Sequence, residues 1–85
     1  MSRIADTLIG IEDAFRIAKD EYDFWTGELE QNGYDVDNAI AAAQYYGQMV
    51  GIAAVEKEIY DPDISPLSEI IKTMEKPKLY RKDYE

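Results

Sequence analysis

The chain has 85 residues, with 18 Asp and Glu against 9 Lys and Arg, a net charge of −9, and neither Cys nor His. A chain of this length forms one domain with a small core, so its stability is marginal and a second copy can help to complete it. The missing Cys and His exclude disulfides, thiolate chemistry and the commonest general base and zinc ligand. The acidity disfavours direct contact with long nucleic acids or anionic membranes.

The first thirty residues predict one long amphipathic helix. Its apolar positions recur in alternating steps of four and three, which places them along one side of a helix. This seam consists of Ile4, Leu8, Ile11, Phe15, Ala18, Tyr22, Trp25 and Leu29. Ser2 is a suitable N-cap, and Gly33 predicts the end because glycine readily adopts the left-handed conformation of a helix terminus.

A second helix is predicted from Asp35 or Asp37 to about Tyr60, and it carries two apolar stripes. The first, mostly of small residues, consists of Ile40, Ala43, Gly47, Val50 and Ala54. The second, bulkier stripe consists of Ala41, Tyr45, Met49, Ile52, Val55 and Ile59. Two stripes require cover on two sides. The small stripe predicts a close contact with another helix at Gly47, so that Gly47→Leu would overfill it.

Residues 39–55 contain no charged side chain and include a GxxxG spacing at Gly47 and Gly51, which raises the question of a membrane span. The stretch is at the lower limit of length for crossing a bilayer, contains two Gln and has acidic flanks, so it favours a helix buried in a soluble protein. The amino-terminal residues lack the continuous apolar segment of a secretory signal. We therefore expect a cytoplasmic protein that does not enter a membrane.

A short third helix is predicted to begin with Ser65 as N-cap and Pro66 as first residue, and to end before Pro77. Its apolar face consists of Leu67, Ile70, Ile71 and Met74. The three elements predict an all-α fold, an antiparallel hairpin of two long helices joined near Gly33 with the short helix folded back on it. Residues 1–76 form the helical domain and residues 77–85 a polar tail. We expect self-association, a homo-oligomer, to cover the apolar surface left over.

Catalytic and metal sites find little support in the sequence. The pairs Asp35/Asp37 and Asp61/Asp63 occur where the second helix should begin and end, which is typical of helix-end residues. A calcium loop of the EF-hand type starting at Asp35 would need Gly and Glu where Ile40 and Tyr46 stand. No glycine-rich phosphate loop is present. We therefore expect no enzyme activity, no catalytic residue, no metal and no cofactor.

Acidic residues dominate the middle of the chain and suggest how the protein binds a partner. Residues 20–63 contain eleven acids, at positions 20, 21, 23, 28, 30, 35, 37, 56, 58, 61 and 63, against one base, Lys57. Carboxylates held at regular spacing on a helix resemble a phosphate track to a basic groove. The predicted partner-binding residues are Asp20, Glu21, Asp23, Trp25, Glu28, Glu30, Tyr34, Asp35 and Asp37. We expect the acids of residues 20–37 and 56–63 to come together.

Tyrosine and tryptophan are also frequent, with seven Tyr and one Trp. Such side chains are enriched at protein interfaces. Tyr22, Trp25 and Tyr45 lie on predicted apolar faces of the helices. The other five do not lie on these faces, and for them partner contact and packing in the fold are equally good interpretations. These residues are Tyr34, Tyr46, Tyr60, Tyr80 and Tyr84.

In size, acidity and lack of catalytic groups the chain is similar to phage-encoded inhibitors of nucleic-acid-handling host systems, anti-CRISPR proteins among them. The similarity includes no shared motif, so it implies a class of function and assigns no residues. It favours a non-enzymatic anti-defence inhibitor or regulator that occupies the basic groove of a partner protein, such as a nucleic-acid-handling enzyme. Two alternatives stay open: an oligomeric protein that sequesters a nucleotide signal, using Arg3, Arg16, Lys19 or the tail, and a structural subunit of a helical bundle.

Overall fold

The computed structural model describes residues 3–59, 66–74 and 81–84, with side chains described for residues 9–59, 66–74, 81 and 82. These residues form three α-helices, α1 (Arg3–Asn32), α2 (Val36–Ile59) and α3 (Pro66–Thr73), followed by a 3₁₀ turn at Arg81–Tyr84. No β-strand occurs in this described part of the chain. The predicted all-α fold, with two long helices and one short one, is confirmed.

The connection between α1 and α2 is three residues long and has a defined geometry. Gly33 has a φ of 88°, the left-handed conformation that ends a helix and that a residue with a Cβ adopts at a cost. Asp35 then caps α2, because its Oδ1 accepts hydrogen bonds from the backbone N–H groups of Asp37 at 2.9 Å and Asn38 at 3.1 Å. So short a link makes α1 and α2 antiparallel neighbours.

The seam predicted on α1 faces the interior. Phe15, Ala18, Tyr22 and Leu29 are buried. Ile11 and Trp25 are partly buried and pack against the same core. The prediction is therefore confirmed from residue 11 to residue 29. The side chains of its first two members, Ile4 and Leu8, and the proposed N-cap Ser2 lie outside the described residues.

The buried side of α2 differs from the prediction. Its buried residues are Ala39, Ala42, Met49, Ala53 and Glu56. Of the two predicted stripes only Met49 is fully buried, whereas Ile40, Val50 and Val55 are exposed. The large seam residues of α1 fill the space between the helices, so α2 approaches α1 with its alanines. The sequence pattern was ambiguous because α2 is apolar on nearly every side.

Glycine 47 lies on the exposed side of α2. A Cβ built at this position would meet no atom within 4 Å in the described part of the chain, and the same holds at Gly51. The predicted close helix contact at Gly47 is therefore wrong within one copy of this chain, because α1 packs on another side of α2.

Helix α3 closes one end of the hairpin. Leu67 is buried in the same cluster as Phe15, Met49 and Ala53, and Ile71 and Met74 pack against this cluster. Ile70, the fourth residue of the predicted apolar face, is exposed. The predicted N-cap Ser65 lies outside the described residues.

The core is narrow and divided along the hairpin. One cluster lies under α3, and a second, of Leu29, Ala39 and Ala42, lies near the turn with Trp25 and Tyr34 against it. The molecule measures 49 × 22 × 15 Å between Cα atoms. In so thin a body many apolar side chains cannot be buried, and several large ones on α1 and α2 are exposed.

Candidate functional site: an acidic face of α1

The predicted binding acids of α1 occupy two sides of the helix. At 3.6 residues per turn, residues seven apart lie nearly in line. Glu21 and Glu28 therefore share one side, Asp23 and Glu30 share another, and Asp20 lies between them. Asp20, Glu21, Asp23 and Glu30 are exposed and Glu28 is partly exposed. The fold thus divides one predicted acidic surface into two.

One of these sides combines carboxylates with exposed apolar side chains. Ile17 and Phe24, seven residues apart, lie on the side of Glu21 and Glu28 and are 58% and 55% exposed. We call this surface the acidic strip. Its residues are Ile17, Asp20, Glu21, Phe24 and Glu28.

The opposite side carries cations as well as acids. Lys19 Nζ donates a hydrogen bond to Asp23 Oδ2 at 2.8 Å. Arg16 Nη2 lies 3.7 Å from Asp13 Oδ1, in an exposed pair between the two sides, with Asp13 in line with Asp20. Exposed pairs of this kind contribute little stability, but they reduce the local excess of negative charge. The acidic strip is therefore the more strongly anionic of the two sides.

Two further predicted acids lie at the hairpin turn. Asp35 uses its carboxylate to cap α2, so it is committed to the turn, and Asp37 lies exposed in the first turn of α2. Glu28 accepts a hydrogen bond from Asn32 Nδ2 at 2.6 Å, close to the end of α1. The antiparallel hairpin brings the acidic end of α1 beside the acidic start of α2, as the sequence predicts.

The acids at the far end of α2 do not join this group. Glu56 and Glu58 follow Asp37 by about twenty residues, which is about 30 Å along a helix. Glu56 is only 1% exposed and its Oε1 accepts a hydrogen bond from the backbone N–H of Leu67 at 3.2 Å. The predicted meeting of residues 20–37 with residues 56–59 is wrong, since antiparallel packing separates the two ends. Asp61 and Asp63 lie outside the described residues.

The two aromatic residues predicted as anchors belong largely to the fold. Trp25 and Tyr34 are partly buried and pack on the cluster formed by Leu29, Ala39 and Ala42. The Trp25 Nε1 atom is buried, with no hydrogen-bond partner among the described residues. It therefore does not offer its polar group at the surface.

Phe24 is the exposed aromatic side chain of α1, and sequence reasoning did not select it. Its ring meets Trp25 edge to face, with centroids 5.0 Å apart. The signal that could have found it is its seven-residue spacing from Ile17, outside the apolar seam.

Tyr46, among the remaining tyrosines, differs from expectation. Tyr46 was predicted to lie off both apolar stripes, yet it packs against the core and meets Tyr22 edge to face at 5.7 Å. The backbone of Tyr84 lies in the 3₁₀ turn. Tyr60 and Tyr80 lie outside the described residues. Tyr46 is therefore a packing residue, because the buried side of α2 is turned relative to the predicted one, and Tyr34 packs at the hairpin turn.

A groove between α2 and α3 is the second surface feature. It encloses about 260 Å³. Its lining residues are Val50, Ala53, Ala54, Lys57, Ser68, Ile71 and Lys72. Lys72 Nζ lies 3.3 Å from Glu69 Oε1 in an exposed pair. The lining is mostly apolar and contains no aromatic side chain on which a nucleotide base could stack. We call it the α2–α3 groove.

Other kinds of site receive no support from the described residues. Within residues 3–59, 66–74 and 81–84 no three acidic side chains come together in a way that could hold a metal ion. No helix of this part of the chain has both the length and the apolar character needed to cross a membrane.

Comparison with known proteins adds no relative. No family model, curated protein or solved structure matches this chain.

Proposed function

We propose that this protein is a non-enzymatic interaction module that binds a basic surface of a partner protein through the acidic strip of α1. The partner surface is one that normally binds nucleic acid, and the outcome of binding is inhibition or regulation of that partner, as in phage-encoded anti-defence inhibitors. The observation that carries the proposal is the row of exposed or partly exposed carboxylates beside the exposed Phe24 and Ile17 on one side of α1.

The chemistry of the strip supports this partner class. Exposed carboxylates attract and orient a cationic surface, and this attraction raises the rate of association. Phe24 supplies the large apolar contact that typically dominates the energy of an interface. A strip with both features can bind a groove whose cations flank an apolar floor.

The experiment compares two double variants with equal changes of charge. Glu21→Lys with Glu28→Lys reverses two acids of the strip, and Asp23→Lys with Glu30→Lys reverses two acids at the same spacing on the other side. We expect the strip variant to lose at least about tenfold in affinity for a partner captured by the wild-type protein, and the other variant to lose much less, because only the strip enters the groove.

The partner is obtained by capture on the tagged protein, elution with salt and mass spectrometry, and affinity is then measured by calorimetry. Duplex DNA should compete, and affinity should fall between low and high salt because screening weakens exposed charge contacts. Equal losses in the two variants would contradict a specific strip and indicate a bulk charge effect. Affinity that is unchanged by salt would contradict charge mimicry altogether.

A nucleotide-sequestering role receives less support. Arg16 and Lys19, two of the cations that this role requires, are engaged with Asp13 and Asp23. The α2–α3 groove brings two lysines near apolar residues, but stacking requires an aromatic side chain that its lining lacks.

A further inference from the structure

We infer that the acidic strip forms one wall of a channel between α1 and α2, and that this channel binds a basic amphipathic helix of the partner protein. The inference rests on the proposed function, because it names the kind of basic surface that the strip recognises. We call this surface the α1–α2 channel. Its α1 wall is the acidic strip, and its α2 wall consists of Tyr45, Gln48, Ile52 and Val55.

The repeat of core positions places the two walls on the same side of the hairpin. Core residues recur in alternating steps of three and four along both helices, at 39, 42, 46, 49, 53 and 56 in α2. The first core position of each seven-residue repeat is 15, 22 or 29 in α1 and 39, 46 or 53 in α2. The residues directly before these positions include Glu21 and Glu28 on α1, and Tyr45 and Ile52 on α2. Reversing one helix also reverses the sense in which its rows run around it, so these like rows lie side by side in an antiparallel pair.

Two contacts agree with this arrangement. Tyr22 and Tyr46, which both occupy first core positions, meet edge to face with ring centroids 5.7 Å apart. Helix α3 packs on the other side of α2, where Val50 and Lys57 line the α2–α3 groove. These two residues follow the core positions of α2, whereas the residues of the channel precede them. Helix α3 therefore leaves the α1–α2 channel open.

The channel presents apolar side chains on its floor and on both walls. Tyr45 and Ile52 are partly buried and pack against the core, so they form the floor. Val55 is 51% exposed on the α2 wall, and Phe24 is 55% exposed on the α1 wall. A depression between two helices, with apolar side chains on either side, can receive the apolar face of a third helix.

Charge is confined to the α1 wall. This wall carries Asp20, Glu21 and Glu28, whereas no residue of α2 from 38 to 55 is charged. A partner that fits both walls must therefore present cations along one edge and apolar side chains over the rest of its contact surface. An amphipathic helix with a row of bases at one edge of its apolar face has this distribution. The attraction between opposite charges then fixes which way the helix faces across the channel.

The spacing of the carboxylates also matches a helix. Glu21 and Glu28 are seven residues apart, so their Cα atoms lie about 10.5 Å apart along the axis of α1. A partner helix that lies along the channel presents its residues i and i+7 at the same spacing and nearly in line. Bases at every seventh position of the partner can therefore reach both carboxylates at once. With 24 residues, α2 is long enough for three such repeats.

A designed peptide tests the channel on the full chain. The peptide has about 21 residues, or three heptads, with Leu on one face, Lys at every seventh position along one edge of that face, and neither Trp nor Tyr. A peptide of the same composition in scrambled order is the control. Trp25 is the chain's only Trp and its ring lies 5.0 Å from that of Phe24, so its fluorescence reports binding at the acidic strip. We expect the designed peptide to change this emission, to become helical on binding, and to bind at least about tenfold more tightly than the scrambled one.

Two valines of α2 with similar exposure test which side of the hairpin binds. Val55→Lys places a cation in the channel and should weaken binding of the designed peptide at least about tenfold. Val50→Lys makes the same change of charge on the side of α3, where the side chain is 44% exposed, and should weaken binding by less than about twofold. Circular dichroism checks that both variants stay helical.

The outcomes separate this inference from the proposed function. Equal affinity for the two peptides, equal losses in the two valine variants, or no binding of the designed peptide up to about 1 mM overturns the channel. If the captured partner is lost by the double variant Glu21→Lys with Glu28→Lys but binds Val55→Lys as tightly as the wild type, the strip stands and the channel is overturned. A captured partner that binds that double variant as tightly as the wild type overturns the proposed function, whatever the peptides show.

Discussion

Glu56 is a charged side chain placed where the fold needs a hydrogen-bond acceptor. It is buried between α2 and α3, and its Oε1 accepts the backbone N–H of Leu67 in the first turn of α3. The first N–H groups of a helix have no partner within the helix, so they require an acceptor from elsewhere. A carboxylate is well suited to this place because the amino-terminal end of a helix favours negative charge. One side chain of α2 therefore satisfies a donor in the first turn of α3.

Replacing Glu56 with Ala should lower the free energy of unfolding by about 1–3 kcal/mol, because the Leu67 N–H is left buried without its acceptor. Glu56→Gln, which keeps an acceptor oxygen, should lose less. The measurement is urea denaturation followed by circular dichroism.

The control is Glu58→Ala, two residues further along α2 at an exposed position, where a change within about 0.5 kcal/mol is expected. If Glu56→Ala were as stable as Glu58→Ala, the contact to α3 would not contribute to the fold.

At the scale of elements, the three helices differ in how strongly their sequences determine their orientation. The seam of α1 has one apolar side and fixes that side, as the burial of Phe15, Tyr22 and Leu29 confirms. The link to α2 is set by the conformation of Gly33 and by the cap at Asp35. The orientation of α2 itself is set by its neighbours, because a helix that is apolar all round can turn several sides towards a core.

Two glycine-to-alanine substitutions, one within α1 and one just after its end, should change the stability of the protein in opposite directions. Gly33→Ala should destabilise the protein by roughly 1 kcal/mol or more, because a Cβ is strained at a φ of 88°. Gly10→Ala should stabilise it by about 0.5–1 kcal/mol, because the position is helical, exposed and free of atoms within 4 Å of a new Cβ in the described part of the chain.

Thermal or urea unfolding of both variants measures the two effects under one condition. A Gly33→Ala variant as stable as Gly10→Ala would show that the turn does not require the left-handed conformation.

At the scale of the whole molecule, a thin hairpin carries a large excess of negative charge. The described body is only 22 × 15 Å in cross-section, so carboxylates at the same level along the hairpin lie close to one another. Three described ion pairs, all exposed and all local in sequence, offset only part of the repulsion. The charge that suits the acidic strip to a basic partner therefore weakens the folded state of the free protein.

Salt should consequently stabilise this protein. Raising the ionic strength from about 0.01 M to about 0.15 M shortens the screening length from about 30 Å to about 8 Å. We expect a gain on the order of 1 kcal/mol, which corresponds to a rise of about 4–8 °C in Tm for a chain of this size. Calorimetry at low protein concentration keeps association from contributing. Sucrose at equal osmolarity is the control, and a Tm that falls with salt would contradict net repulsion in the folded state.

The candidate site was predictable in composition but not in geometry. The acids from Asp20 to Asp37 are plain in the sequence, and they do lie at the surface or in the hairpin turn. Helical phase then separates Glu21 and Glu28 from Asp23 and Glu30, which a count of charges does not reveal. Trp25 and Tyr34 were expected to be available to a partner and are instead packed against Leu29. The general enrichment of Trp and Tyr at protein interfaces did not predict the positions of these two side chains, because burial depends on which side of α1 meets α2.

The sequence by itself determined the helices, their approximate ends, the seam of α1 and the antiparallel hairpin. Each of these depends on local signals: periodicity, a cap, a glycine in the left-handed conformation, and a short link. Only the tertiary structure decided that α2 packs through Ala39, Ala42 and Ala53, that Glu56 is buried under α3, and that Ile40 is exposed. Packing against α1 selects the face of α2 whose side-chain volume fits best. Because this fit depends on the surfaces of both helices, no local pattern in the sequence predicts it.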